Sequence, residues 1–134
     1  MRLIVCLDDN GGMMFNHRRQ SRDRVLIADV LQHVGDATLW VSPYSAPLFG
    51  ENIPSLRVTS NPLETAGEHD YCFLEDTPLP QTLDGVGELV IYRWNRLYPS
   101  DVRFTCDTSS FSFVESTAFV GSSHDNITKE IWKK

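Results

Sequence analysis

The residues best suited to chemistry gather in two places. Asp8, Asp9, Asn10 and Asn16 follow directly on an apolar run, Leu3-Ile4-Val5-Cys6-Leu7, and Arg18, Arg19 and Arg22 come just behind them. Carboxylates at the end of such a run can orient a ligand. Guanidinium groups beside the helix that follows can clamp a phosphate or carboxylate with paired N–H donors. The second group is Arg93, Trp94, Asn95 and Arg96, at the end of Leu89-Val90-Ile91-Tyr92. Polar residues there are costly to bury unless they face a cleft or pair with acids. Tyr44, behind Ser42-Pro43, completes the candidate ligand-binding set. Plainer readings stand beside these. Acids are good turn formers, the arginines could be a solvated loop with Asp23 as partner, and Arg93 could bridge to Asp8 or Asp9. Ser122-Ser123-His124 suggests a hydrolase, but a serine next to a histidine in sequence is no triad. A polar hairpin loop explains it.

The four histidines, His17, His33, His69 and His124, lack metal-ligand spacing, so no metal site is expected. Cys6, Cys72 and Cys106 form no C-x-x-C pair and lie in apolar or strand-like contexts. They read as free, largely buried thiols in a reducing compartment.

These groups need a scaffold that brings two chain segments together. An apolar run with a turn behind it reads as a strand buried on both faces, central in a parallel sheet. Ligands of such sheets sit at the carboxyl ends of the strands, which makes Asp8 to Asn16 the rim of a pocket. Ser21 can cap a helix over Arg22 to Val34, stopped by Gly35. Ala37 to Val41, Leu56 to Thr59, Tyr71 to Leu74 and Leu89 to Tyr92 read as further strands, the last one central. Short helical turns are expected at Tyr44 to Phe49, Gln81 to Gly85 and Arg93 to Tyr98, and Asn61-Pro62 in a loop. Val102 to Cys106 is strand-like, and Phe111 to Val120 with Ile127 to Trp132 reads as a closing antiparallel hairpin. The order β-α-β-α-β-β-α-β-α-β-β-β demands an α/β fold. Its centre is a mixed, mostly parallel sheet of about eight strands between two helical layers, in one domain spanning 1–134.

The 134 residues are 41% hydrophobic and 22% charged, ordinary for a globular chain long enough to bury a core. A formal net charge of −6 argues against long nucleic acids and acidic membrane surfaces as partners. The opening apolar run is too short for a signal peptide or a membrane span, so a cytoplasmic location is expected.

The order of elements resembles dihydrofolate reductase, and local landmarks agree. Leu3 to Leu7 with Gly12-Met13 and Asn16 is similar to that family's first strand and mobile loop. Leu39-Trp40-Val41-Ser42-Pro43-Tyr44-Ser45, Ile53-Pro54 and Leu56 to Pro62 resemble its second strand, short helix and third strand. Val90-Ile91 through Arg96-Leu97-Tyr98 resembles the strand and helix that hold its cofactor. The resemblance implies that the first and fifth strands are neighbours, so the two polar groups would face one cleft. It also marks departures. Arg93-Trp94-Asn95 stand where the family has consecutive glycines against the dinucleotide pyrophosphate. Ser42-Pro43 replace the Gly-Arg that grips the cofactor phosphate, and Arg19-Gln20 replace a Pro-Trp before the substrate helix. The family's buried helix carboxylate has no clean counterpart, Asp23 lying near the helix start and Val25 closer to the register. The opening is also similar to that of short chains grouped with ribonuclease Z, whose His-x-His-x-Asp-His zinc motif is absent here.

The expectation is a binding domain for a small anionic or nucleotide-like molecule, without a cofactor and without ordinary NADPH-dependent folate reduction. An enzyme is the first alternative, either a divergent NADPH-dependent reductase or a phosphoester hydrolase. A structural or partner-binding homodimer, joined through an exposed edge strand, is the second.

Overall fold

The computed structural model describes residues 1–134. Its main sheet has seven strands: β1 (Arg2–Leu7), β4 (Leu39–Val41), β5 (Leu56–Val58), β6 (Tyr71–Phe73), β7 (Glu88–Arg93), β9 (Ser112–Phe119) and β10 (Ile127–Lys133). They lie in the order β5-β4-β6-β1-β7-β10-β9. The first five are parallel, and β10 and β9 close one edge as an antiparallel hairpin. Leu3, Ile4 and Val5 are fully buried because β1 is covered on both faces and paired on both sides. β7 lies directly beside β1, Leu7 opposite Arg93, so the carboxyl ends of the two central strands adjoin.

Helix α1 (Arg24–Val34) covers one face, burying Leu26, Val30 and Val34 at four-residue spacing. These meet Ile4, Phe73, Val90, Tyr92 and Ile127 of the sheet. Over the other face, Leu83, Val86, Met13, Met14 and Phe111 pack on Leu3, Val5, Leu89 and Ile91. That cover is made of loops, of helix α2 (Pro62–Thr65) and of a second sheet, in which β2 (Gly12–Phe15) pairs β3 (Arg18–Arg19) and β8 (Val102–Arg103). A short 3-10 helix, Ala46–Phe49, stands where a helical turn was expected.

Several local expectations are corrected. Asp23, not Ser21, caps α1, accepting from the Val25 and Leu26 N–H groups, and the helix begins at Arg24. Gly12 to Phe15 is a strand rather than an open turn, joined to β3 by Asn16 and His17, both at positive φ (52° and 63°). That is the geometry of a two-residue hairpin turn, formed without the Asn-Gly pair that usually announces one. Gln81 to Gly85 forms no helix; Thr82 bridges to Asp107 while Leu83 and Val86 plug the core. Arg93 to Tyr98 forms none either. Asn95 sits at φ 58°, and its amide is pinned to the Asn126 carbonyl and Thr128 hydroxyl of the hairpin. Asn61-Pro62 opens α2 rather than lying in a loop. Cys6, Cys72 and Cys106 are unpaired; Cys72 is buried, and the other two are half-buried.

Candidate functional site

Three polar clusters occupy the carboxyl ends of β1, β6 and β7. The first is the turn after β1. Asp8 is 1% exposed, and its carboxylate accepts from the N–H groups of Asn10, Gly12 and Tyr98 and from the Gln20 amide. Burial pushes its pKa up, but these donors outweigh burial and hold it below the usual range. The Tyr98 bond ties this turn to the segment after β7, as does Asp9 N–H to the Arg96 carbonyl. Gly12 must be glycine, since a Cβ there would stand 2.5 Å from Gln20 Nε2 and 2.7 Å from Ser100 Cβ.

The second cluster centres on Arg19. Its guanidinium donates twice to Glu75, at 3.0 Å to each carboxylate oxygen, and lies 4.5 Å from the centre of the Tyr44 ring. Tyr44 OH accepts from Arg19 N–H, and Ser45 Oγ donates to Glu75 at 2.6 Å. Ser42, buried at the end of β4, donates to Asp76.

The third cluster joins α1 to the hairpin loop. Asp23 Oδ1 accepts from the N–H groups of Val25, Leu26 and Ser122, and Oδ2 from Ser123 N–H and Oγ. Burial raises the pKa of this carboxyl, and the Ser123, Ser122 and Leu26 N–H donors overcome that and drive it well below the usual range. His124 Nδ1 lies 2.8 Å from Ser123 Oγ and 3.6 Å from Asp23 Oδ2, and Nε2 lies 2.7 Å from Tyr98 OH and 3.4 Å from Ser21 Oγ. Ser123 Oγ has one proton and three neighbours, two of which, Asp23 Oδ2 and the Arg22 carbonyl, can only accept. That proton is committed to one of these two acceptors, so towards His124 the hydroxyl oxygen accepts: Nδ1–H donates to Ser123, which leaves Nε2 as an acceptor for Tyr98. Burial and the nearby Arg96 hold the imidazole below its usual pKa, hence neutral at pH 7, against the pull of Asp23. The Trp94 ring stacks on His124 at 4.6 Å.

Between the second and third clusters lies a cleft with an apolar floor of Leu26, Leu48, Phe73 and Trp94. Its cavity of about 20 Å³ matches one water. Gln20 borders it. Gln20 Nε2 donates to Asp8 and to the Pro99 carbonyl, which fixes the amide's orientation and leaves Oε1 buried without a partner. The Cys6 thiol, in the same wall, has its pKa pushed well up, first by burial and then by Glu75, so it is no nucleophile at neutral pH. A wider depression of about 740 Å³ lies at the opposite end, by Met1, Arg2 and Gly87, away from these clusters.

Of the residues singled out by type and spacing, Asp8 is saturated, while Asp9, Asn10, Asn16, Arg18, Arg22 and Arg96 are exposed. Arg19 and Tyr44 form the Glu75 cluster, Arg22 lines the cleft, and Asn95 anchors the hairpin. Arg93 does not join Arg19. Arg93 faces the other side of the sheet among Leu7, Leu89, Ile91 and Trp132, paired with Glu130 at 2.9 Å rather than with Asp8 or Asp9. The groups of these clusters that lay outside the candidate ligand-binding set are Asp23, Glu75, Gln20, Tyr98 and His124. Asp23 and Ser123-His124 carried a sequence signal, but nothing in their spacing placed residue 124 beside residue 23. No three His, Cys, Asp or Glu side chains lie close enough together to hold a metal ion. No helix is long and apolar enough to cross a membrane.

No protein-family model and no curated protein matches the sequence. Solved structures do match. A dihydrofolate reductase from Enterococcus faecalis, complexed with NADP(H) and RAB-propyl, superposes with a TM-score of 0.70 at 13% identity. The match covers 98% of this chain and 94% of that one. With the parallel core, the adjacent β1 and β7 and the closing hairpin, this establishes that the chain has the dihydrofolate-reductase-like fold.

Proposed function

We propose that this chain is a small-ligand-binding domain on the dihydrofolate-reductase-like scaffold. Its ligand is an anionic or nucleotide-like molecule held at the carboxyl ends of β1, β6 and β7, and ordinary NADPH-dependent folate reduction is not its activity. The observation that carries this reading is the cleft beside Gln20. It combines a water-sized hollow with an apolar floor, a buried acceptor with no partner, and an outer rim on which Arg22 stands without an ion pair and where the ligand is held. An unpaired buried acceptor costs about 1–3 kcal/mol, which a ligand or water N–H or O–H donor relieves. Arg18, Arg22 and Arg96 are exposed cations of this end that recruit the anion; Arg19 is already neutralised by Glu75. Against a reductase stands the segment after β7. Trp94 is 4% exposed and packed on His124, so side-chain atoms fill space that a pyrophosphate-binding glycine pair keeps open.

The test is a melting screen of the purified protein against nucleotides, sugar phosphates and folates, followed by calorimetry. A true ligand at about a hundred times its dissociation constant adds roughly 2.7 kcal/mol. Arg22→Ala and Arg96→Ala should weaken binding without lowering apo stability. A screen in which no member of the panel raises the melting temperature would overturn this reading.

A further inference from the structure

We propose that Ser21 and His124 form a nucleophile–base pair that transfers acyl groups from small carboxylic esters, with Asp23 and Ser123 holding the imidazole. It shares the cleft of the preceding reading but does not depend on the anionic ligand. Two distant segments supply the parts. Ser21 and Asp23 both come from the stretch that leads into α1, Asp23 as its cap, and His124 from the hairpin loop about a hundred residues later in the chain. A nucleophile, a base and a group that orients the base are the recurring requirement, whatever their order in the sequence. The Ser21 Oγ–His124 Nε2 distance of 3.4 Å is loose, as such contacts often are in unliganded sites. The orientation of the base is well determined. Nδ1–H points to Ser123 Oγ, which in turn reaches the ionised Asp23, and Trp94 covers the ring face. The Nε2 lone pair therefore faces two hydroxyls, that of Tyr98, from which it accepts at 2.7 Å, and that of Ser21 at the cleft, 3.4 Å away. The His124 side chain is 2% exposed, whereas Ser21 is half-buried, so an acyl group meets the serine from solvent while its base stays dry.

In the first step Ser21 Oγ bonds to the ester carbonyl carbon as its proton passes to His124 Nε2. The C–O ester bond then breaks, and the departing alkoxide takes that proton, leaving the acyl group on Ser21. Water attacks the acyl carbon with His124 again as base, and the proton returns to Ser21 Oγ as the carboxylic acid leaves. Asp23 stays ionised throughout and stabilises the transient imidazolium through Ser123.

Tyr98 supplies an internal control. Its hydroxyl donates to the same Nε2 at 2.7 Å and competes with Ser21 for the base. Removing it should raise the reactivity of Ser21, an effect that a merely structural network would not produce.

The experiment treats the folded protein with diisopropyl fluorophosphate, maps the adduct by peptide mass spectrometry, and measures p-nitrophenyl acetate hydrolysis from pH 5 to 9. A single adduct on Ser21 is expected, absent in Ser21→Ala, with esterase activity reduced at least 100-fold in that variant, the scale of general-base catalysis. Tyr98→Phe should label several-fold faster. Asp23→Asn should move the midpoint of the pH profile to lower pH, because the carboxylate charge supports the imidazolium; a melting curve establishes that this variant is folded. An adduct map without Ser21, or hydrolysis in Ser21→Ala within twofold of the wild type, overturns the proposal. Ligand-induced melting shifts that persist without Ser21 labelling would sink acyl transfer alone, and Ser21 labelling without any ligand shift would sink the binding reading alone.

Discussion

Replacing Asp23 tests how α1 and the closing hairpin are joined. In Asp23→Ala the helix loses its cap, a loss of about 1 kcal/mol with a range of roughly 0.5–2. The Ser122 and Ser123 N–H groups lose their acceptor too. A stranded donor costs about 1–3 kcal/mol when water cannot reach it. Both serines are exposed, so a further loss of about 1–2 kcal/mol is the appropriate figure for the pair. The sum is about 2–4 kcal/mol. At roughly 3–4 °C per kcal/mol for a chain of this length, melting falls by about 6–16 °C. Asp23→Ser separates the two contributions. A serine still caps the helix but is too short to reach the loop, so only about 1–2 kcal/mol should be lost.

Urea and thermal melts at pH 7 measure both variants. The wild type carries a further signature. Its folded-state Asp23 pKa is depressed, so the stabilisation is complete above the usual carboxylate range. It is lost below about pH 5 as the pH falls towards the folded value. Asp23→Ser lacks that part of the slope; Asp8, also depressed, keeps its own. Asp23→Ala within about 1 kcal/mol of the wild type, or Asp23→Ser as stable as the wild type, would refute the reasoning.

Gly121→Ala should be destabilised by about 1–3 kcal/mol in the same melts, because a Cβ there collides with the Asp23 carboxylate and stands 2.7 Å from Ile127 Cδ1. Arg19→Ala should lose about 2–4 kcal/mol, reduced from the roughly 3–5 of a fully buried broken pair because its side chain and that of Glu75 are still 21% and 11% exposed. Arg93→Ala, whose side chain is 36% exposed, should lose no more than about 1 kcal/mol; near-equal losses would contradict the burial difference. NADPH should bind two to four decades more weakly than to a site with an open glycine pair and a phosphate-gripping arginine, from about 3–6 kcal/mol of lost contacts and overfilling. Micromolar binding by calorimetry would restore the reductase. His124 and His33 are both held neutral by burial, His124 aided by Arg96 and His33 by Lys129. The unfolded chain therefore takes up protons first, and stability should fall as the pH drops below about 6.5. Denaturation midpoints at pH 7, 6 and 5 should fall less steeply in His124→Gln.

The central strands were legible because nothing but burial on both faces suits Leu3 to Leu7 or Leu89 to Tyr92. Their adjacency was not carried by composition; it came with the resemblance, and β1 and β7 are paired. Local punctuation was less reliable where two candidates competed. Ser21 and Asp23 are both cap residues, and the choice was decided by Ser122 and Ser123, which reach Asp23 from the far end of the chain. Gln81 to Gly85 stays irregular because Leu83 and Val86 are drawn into the core. The candidate site was half legible for a related reason. Arg19 and Arg93 were both visible in sequence as candidate ligand-binding cations, but strand alternation sends Arg93 to the face opposite α1, where Glu130 waits one strand away.

What fills the cleft decides how a ligand could use it. An anion directed to Arg19 would have to displace Glu75, which holds that guanidinium with two hydrogen bonds while accepting a third from Ser45. Glu75 would then be left buried beside a second negative charge, and removing one partner from a buried pair costs about 3–5 kcal/mol. Few small ligands return that much from one contact. Arg22 and Arg96 carry no such debt, because they are exposed and no carboxylate pairs with them. In the proposed binding mode an anion would therefore engage the rim of the cleft and leave the Arg19–Glu75 pair in place as a wall. On that argument Arg22→Ala and Arg96→Ala reduce affinity with Arg19 intact, whereas Glu75→Gln, which frees Arg19 without removing its hydrogen-bond partner, should strengthen anion binding. Unchanged affinity in Glu75→Gln would mean that Arg19 lies outside the site altogether.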